Sequence, residues 1–327
     1  MWVVRRLNYY RRIFAAYLGS GESQLTFWHD VPEANPNFRV DDIGEYYQTF
    51  VAKADYPGHY DVAGVPMLDY RGAIGLQYNP IAIAQYGLGN YNLWLRTADP
   101  ERRRKFLLIA DWMTANLAQN AQEQWVWVHN FDFEYRHTLR APWISGLAQG
   151  QGVSLLVRAW KDTGEQKYVD AARRAFNTLL VDILDGGTLY TDQKGQLWIE
   201  EYLVPPPPTH ILNGFIWASW GVYDYWLATK ERRARDFFDA IMRTITNQLP
   251  RYDIGFWSLY EQSGTLLPMI ASAFYHLLHI AQLKVLHRIT GQEVFGVFSE
   301  RWERYKVSPW KRNRAVLYKV LFKVCYY

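Results

Sequence analysis

Apolar positions between residues 76 and 305 recur with helical spacing, and the segments that carry them come in pairs. Phe106, Ala110, Met113 and Leu117 follow one another at steps of four, three and four, which places them on one helical stripe. Asp99 stands just before this stretch as a capping residue, with Pro100 at the first helical position and Glu101 in the first turn. Tyr168, Ala172, Phe176, Leu179 and Ile183 make a second stripe, and Phe237, Ile241, Ile245 and Leu249 a third. Each amphipathic stretch follows a more uniformly apolar one, as at 144–160 and 211–227. A one-faced helix buries a single stripe, whereas a helix apolar on most sides is covered on most sides. The pattern predicts inner helices alternating with outer ones.

The pairs form a weak internal repeat. LWLRTADPERRRKFLLIADW, VRAWKDTGEQKYVDAARRAF, YDYWLATKERRARDFFDAIM and LKVLHRITGQEVFGVFSERW share one plan: apolar-aromatic helix, threonine-bearing break, charged amphipathic helix. The break threonines are Thr97, Thr163, Thr229 and Thr290, spaced by 66, 66 and 61 residues. Such units bury their apolar faces only against neighbouring units. The expected fold is mainly α, an (α/α) toroid of about four helix pairs over residues 76–305. Residues 1–75, rich in Gly, Pro, Asp and Tyr without a helical period, are expected as an irregular segment with one or two strands packed on the toroid. A short β-hairpin is expected at 186–202, where Gly-Gly and Lys-Gly mark turns, and a basic tail at 306–327.

Composition narrows the class. No stretch approaches the roughly 20 uninterrupted apolar residues of a membrane span, no apolar core with a cleavage site follows Met1, and no nucleic-acid motif occurs. One cysteine, Cys325, excludes a disulfide framework and fits a reducing cytoplasm. Charge is unevenly placed. Arg5, Arg6, Arg11 and Arg12 precede the first acid, and after Glu303 every charged residue is a cation. Those ends are either solvated or rest peripherally on an anionic membrane face.

Trp and Tyr total 39 residues, and most of them fill core. Aromatic rings also line carbohydrate clefts, stacking on sugar C–H groups while their polar ends meet sugar oxygens. The stretch with Trp125, Trp127, Phe131, Phe133, Tyr135 and Trp143 is the candidate for that use, because His129, Asn130, Asp132, Glu134, Arg136 and His137 interleave with the rings.

Four segments resemble the C-terminal domain of the glucuronyl C5-epimerases: YNPIAIAQYGL at 78–88, GLAQGQGVSLLVRAW at 146–160, WIEEY…HILNGF at 198–215, and LPRYDIGFWSLY…FYHLLHIAQL at 249–283. The resemblance implies an isomerase that inverts C5 of glucuronic or iduronic residues in a heparosan-like polysaccharide, without a cofactor or metal and as a homodimer. It also implies three catalytic tyrosines: Tyr202 of the Glu-Glu-Tyr motif, Tyr260 closing the Tyr-Asp-x-Gly…Tyr motif, and Tyr275 of the Tyr-His-x-x-His motif. Glu201, Asn213, Gln149, His276 and His279 accompany them as expected substrate contacts or tuning groups. The family carries an arginine three residues after the tyrosine matched by Tyr260, where this chain has Ser263. Arg136, His137 and Arg140 are the candidate replacements.

Other readings stand beside this one. Glu200 and Glu201 could cleave a glycosidic bond. A lyase would share the C5 proton abstraction but expel the C4 substituent. The loss of the arginine at Ser263 would suit a non-catalytic glycan-binding relative. His276 and His279, three residues apart, lack a neighbouring third ligand for a metal. Gln149 and Gln151 either meet sugar hydroxyls or flank close helix packing around Gly150.

Overall fold

The computed structural model describes residues 27–28, 31–135 and 138–326, with backbone alone at 323 and 324. Eight of its helices form four consecutive hairpins: α2 (Pro80–Thr97) with α3 (Pro100–Ala115), α4 (Gly146–Thr163) with α5 (Gln166–Leu179), α6 (Leu212–Thr229) with α7 (Arg232–Gln248), and α8 (Ala273–Thr290) with α9 (Glu293–Val307). The helix α1 (Val51–Ala54) precedes them and α10 (Pro309–Tyr326) follows. The first helices of the pairs pack side by side in chain order, and each second helix lies outside its partner. This is the expected mainly helical (α/α) toroid.

The repeated threonines make the turns. Each ends its inner helix and donates its hydroxyl to the carbonyl four residues back (Leu93, Ala159, Tyr225 and Leu286, at 2.7–2.8 Å). The same oxygen accepts the N–H two residues on, at Asp99, Glu165, Glu231 and Gln292. Between them sits one left-handed residue: Ala98, Gly164, Lys230 or Gly291. A single hydroxyl thus bridges one helix's orphan carbonyl and the residue that opens the next helix. The outer helices stop at Ala115, Leu179 and Gln248, so Leu117, Ile183 and Leu249 of the expected stripes fall just past them.

The inner helices approach closely because small residues let them. A Cβ on Gly221 of α6 would lie 2.2 Å from the Gly150 carbonyl oxygen of α4. Further along the same two helices, Arg158 of α4 forks onto Asp224 of α6 at 2.6 and 3.2 Å, both side chains fully buried. Burial works against the guanidinium's charge, but Asp224 outweighs it and raises the Arg158 pKa. The pair also gathers the segment before the toroid: Tyr47 donates to Asp224 at 2.7 Å and Arg158 to the Gly44 carbonyl at 3.0 Å.

That segment is largely irregular, with one antiparallel three-stranded sheet of β1 (His59–Tyr60), β2 (Pro66–Asp69) and β3 (Leu76–Gln77). The arginines at 5–12 lie outside the described residues. The expected hairpin is present as β10 (Leu189–Thr191) and β11 (Leu197–Ile199), in register Tyr190↔Trp198. Three further two-residue ladders were not foreseen: β4 (Ala118–Gln119) with β5 (Trp125–Val126), β6 (Val128–His129) with β9 (Trp143–Ile144), and β7 (Phe133–Glu134) with β8 (Thr138–Leu139). Strands that short carry no period to read.

Removing one partner of a buried ion pair strands the other charge. Asp224→Ala is therefore expected to cost about 3–5 kcal/mol, read as a lower denaturant midpoint in urea unfolding.

Candidate active site

The connections after the inner helices are two-residue turns, so they cannot carry a site. The long loops, 116–145, 180–211 and 249–272, precede inner helices and meet at the N-terminal end of the toroid.

Backbone chemistry holds these loops in place. The first N–H groups of a helix have no partner within it. The Glu200 carbonyl accepts from Gly146 N at 2.9 Å, at the start of α4, and the Tyr260 carbonyl accepts from Leu212 N at 3.1 Å, at the start of α6. Helix α6 has no side-chain cap, so the Tyr260 carbonyl serves as one. Two glycines make room. A Cβ on Gly146 would lie 2.5 Å from the Glu200 oxygen, and one on Gly214 would lie 2.1 Å from Glu201 Oε2.

The same crossings bring the three tyrosines to one place. Tyr275 lies in the first turn of α8, where Ser272 accepts from its N–H at 3.3 Å. Its ring meets that of Tyr260, with centroids 4.9 Å apart. Tyr202 has its phenol end surrounded by protein although its ring remains partly exposed. Burial, then the charges of Glu201, Tyr275 and Tyr70, push the Tyr202 phenol well above its ordinary pKa. Glu201 shares a hydrogen bond with Tyr202, and burial raises its carboxyl to about 8, helped by the neighbouring Glu200. Asn213 in the first turn of α6 donates to Glu201 at 3.4 Å, and its side-chain amide oxygen meets no partner among the described residues. Glu200 turns the other way and binds His210 Nδ1 at 2.5 Å and His210 N at 3.0 Å.

The aromatic stretch divides by depth. Trp127 belongs to the core, its indole donating to the Met113 carbonyl at 2.7 Å, and His129 is buried and stacked on Trp143. Phe133, Tyr135 and Trp143 form a wall beside Tyr202, at centroid distances of 5.8, 4.9 and 5.8 Å. Tyr70, within electrostatic reach of Tyr202, was missed from sequence. It lies just past β2 in a segment without periodicity, where nothing separates it from the other tyrosines.

Several expected substrate contacts are placed elsewhere. Gln149 is fully buried, accepting from Trp127 N at 3.0 Å and donating to the Trp125 carbonyl at 2.9 Å, so it pins the loop to α4. His276 and His279 are buried beneath Tyr275. Both ring Nδ1 atoms meet Ser258 Oγ, at 2.8 and 3.0 Å, and His276 Nε2 meets the Trp302 carbonyl at 3.0 Å. Burial lowers both pKa values, His276 to about 4, so they stay neutral and fasten the Tyr260 segment to α8. Arg140 is exposed and paired with Asp132, and Arg136 and His137 lie outside the described residues. Ser263 donates to buried Glu261, which burial raises to about 7 against the pull of Lys319 from α10. The cation reaching this loop therefore comes from the last helix. Among the described residues no three His, Cys, Asp or Glu side chains gather as metal ligands.

Two stability predictions follow from this geometry. Gly214→Ala drives a methyl into the Glu201 carboxylate and is expected to cost about 1–3 kcal/mol, measured by urea unfolding. Glu201 keeps its proton in the folded protein up to about pH 8 but loses it in the unfolded chain in the ordinary carboxyl range. Stability is thus present at acid pH and lost as pH rises toward 8, and Glu201→Gln should flatten that decline in unfolding curves taken across the interval.

Comparison with known proteins bears on this arrangement. The model of the D-glucuronyl C5-epimerase C-terminus matches residues 119–304. A D-glucuronyl C5-epimerase of Caenorhabditis elegans is 31% identical over 216 residues, 61% of this chain and 34% of that protein, so the chain spans about a third of it. An uncharacterized protein of Methanocaldococcus jannaschii is 28% identical over 300 residues, covering 85% of this chain and 93% of its own. Two solved structures share the fold: cellobiose 2-epimerase from Bacillus thermoamylovorans (TM-score 0.55, 11% identity, 91% of this chain and 87% of that one) and from Spirochaeta thermophila (TM-score 0.51, 13% identity, 92% and 69%). With more than half its length matched by the family model, the chain belongs to the D-glucuronyl C5-epimerase C-terminal family.

Proposed function

We propose that this protein is a carbohydrate isomerase that inverts C5 of glucuronic or iduronic residues within a heparosan-like polysaccharide. One arrangement carries the reading: the buried Glu201 carboxyl is hydrogen-bonded to Tyr202, which lies within electrostatic reach of Tyr275, itself in ring contact with Tyr260.

The C5 proton lies next to a carboxylate and is weakly acidic. Its transfer from one face to the other needs a group on each side of the ring. Tyr202 alone is a poor base, because burial holds its proton. Ionised Glu201 changes that. As the C5 proton moves to the Tyr202 oxygen, the phenol proton moves to Glu201, and the C5–H electron pair passes into the enediolate. Tyr260 or Tyr275 then donates its hydroxyl proton to C5 from the opposite face, and solvent reprotonates it while Glu201 gives up its proton. A base works best with a pKa near the working pH, which suits Glu201 better than a free phenol. The enediolate needs donors set in advance. The Asn213 side-chain amide, with one N–H on Glu201, has a second to offer at this face. Phe133, Tyr135 and Trp143 offer ring faces for neighbouring sugars.

In deuterated water, a uronic acid polymer should gain deuterium at C5 with its chain length intact. New unsaturated ends would mean a lyase, shortened saturated chains a hydrolase, and no change a glycan binder. Tyr202→Phe should lower kcat by about 10²-fold or more, as should whichever of Tyr260→Phe and Tyr275→Phe removes the opposite-face acid, with the thermal midpoint nearly unchanged. The wild-type kcat/KM should rise with pH through a limb near 8 that belongs to the Glu201–Tyr202 pair, and Glu201→Gln should abolish that limb.

A further inference from the structure

The last helix is apolar on two sides. Ala315 and Phe322 bury one side, and polar groups fasten it: Lys319 Nζ donates to the Ile270 carbonyl at 2.6 Å, Lys311 Nζ to the Gly255 carbonyl at 2.9 Å, and Tyr326 accepts from Leu267 N at 3.1 Å. These anchor points all lie on the stretch 255–270 that carries Tyr260. The opposite side holds Trp310, Leu317 and Leu321 at i, i+7 and i+11, flanked by Val316 and Val320. All five are more than half exposed, Trp310 at 77% and Leu317 at 71%.

An apolar row of this size on a fastened helix calls for an occupant. We propose that α10 docks the protein flat onto an anionic lipid bilayer. Charge selects that occupant. From Arg304 to the end of the chain there are seven cations and no acid, with Arg312 and Arg314 exposed at the borders of the apolar row. A second copy seated here by two-fold symmetry would set this cationic patch against itself. An anionic surface complements it, and the mixture of Trp, Leu and Val with Arg and Lys is that of a helix lying in the headgroup region. No helix among the described residues is long and apolar enough to cross a membrane, so α10 lies on the bilayer rather than through it. Docking would hold the Tyr260 segment beside the lipid surface.

The test is sedimentation of the full chain with phosphatidylglycerol-containing vesicles and with neutral phosphatidylcholine vesicles. Binding is expected to the anionic vesicles alone and to weaken in high salt. A triple variant, Trp310→Ser with Leu317→Ser and Leu321→Ser, should reduce the bound fraction about tenfold or more. Arg304→Glu with Arg312→Glu should do the same, with unchanged helical circular dichroism in both cases. These side chains are exposed, so the fold does not depend on them. Equal binding by the triple variant, or no binding of the wild type to anionic vesicles, overturns the proposal. So does a change from dimer to monomer in the triple variant without vesicle binding by the wild type, which would assign the face to a second copy.

Discussion

An inner helix that begins under a loop brings backbone N–H groups with it that the helix cannot satisfy, and the site depends on how they are met. Here the loop itself meets them. The Glu200 carbonyl takes the first N–H of α4, and the Tyr260 carbonyl takes that of α6. Each loop leads into one inner helix while resting on the start of the preceding one. The residues beside those carbonyls, Glu201 and Tyr202 in one loop and Tyr260 itself in the other, are therefore set by helix ends rather than by loop packing. Gly146 and Gly214 are the steric condition, since any Cβ there would collide with the crossing loop.

Burial acts differently at the two ends of the toroid. At the far end it is spent on rigidity: Arg158 and Asp224 satisfy each other and tie α4, α6 and the preceding segment together. At the loop end it raises the pKa of a carboxyl that has no cation beside it. Burial raises Glu201 to about 8 and Tyr202 well above its ordinary value, and no cation pulls either back. Shifted acids beside partly exposed aromatic rings are candidates for proton transfer near neutral pH. The two buried histidines are not part of this; desolvation keeps them neutral, and Ser258 binds both.

Helix α10 links these features to the surface. Its buried side clasps the stretch carrying Tyr260, and its Lys319 lowers the Glu261 pKa beside Ser263. Positive charge reaches the loop of Ser263 from a distant part of the chain, which spacing within the motif could not reveal.

The toroid was legible in the sequence because its determinants are local. Helical stripes, Asp99 with Pro100, and the recurring threonines each act over a few residues, and Thr97, Thr163, Thr229 and Thr290 recur because every pair turns on the same hydroxyl. Tyr202, Tyr260 and Tyr275 were legible through motif resemblance, not through periodicity. Tertiary structure decided which face bears the site, since the two-residue turns leave only the opposite end free for long loops. It also decided that Gln149, His276 and His279 lie behind the site, that Trp127 is core while Tyr135 is wall, and that Tyr70 joins the cluster. Depth is the reason. A residue's type fixes what it can bond, but whether that bond goes to backbone, to a neighbour or to a ligand depends on which chain segments cover it, and for Gln149, His276 and His279 those come from 18 to 26 residues away.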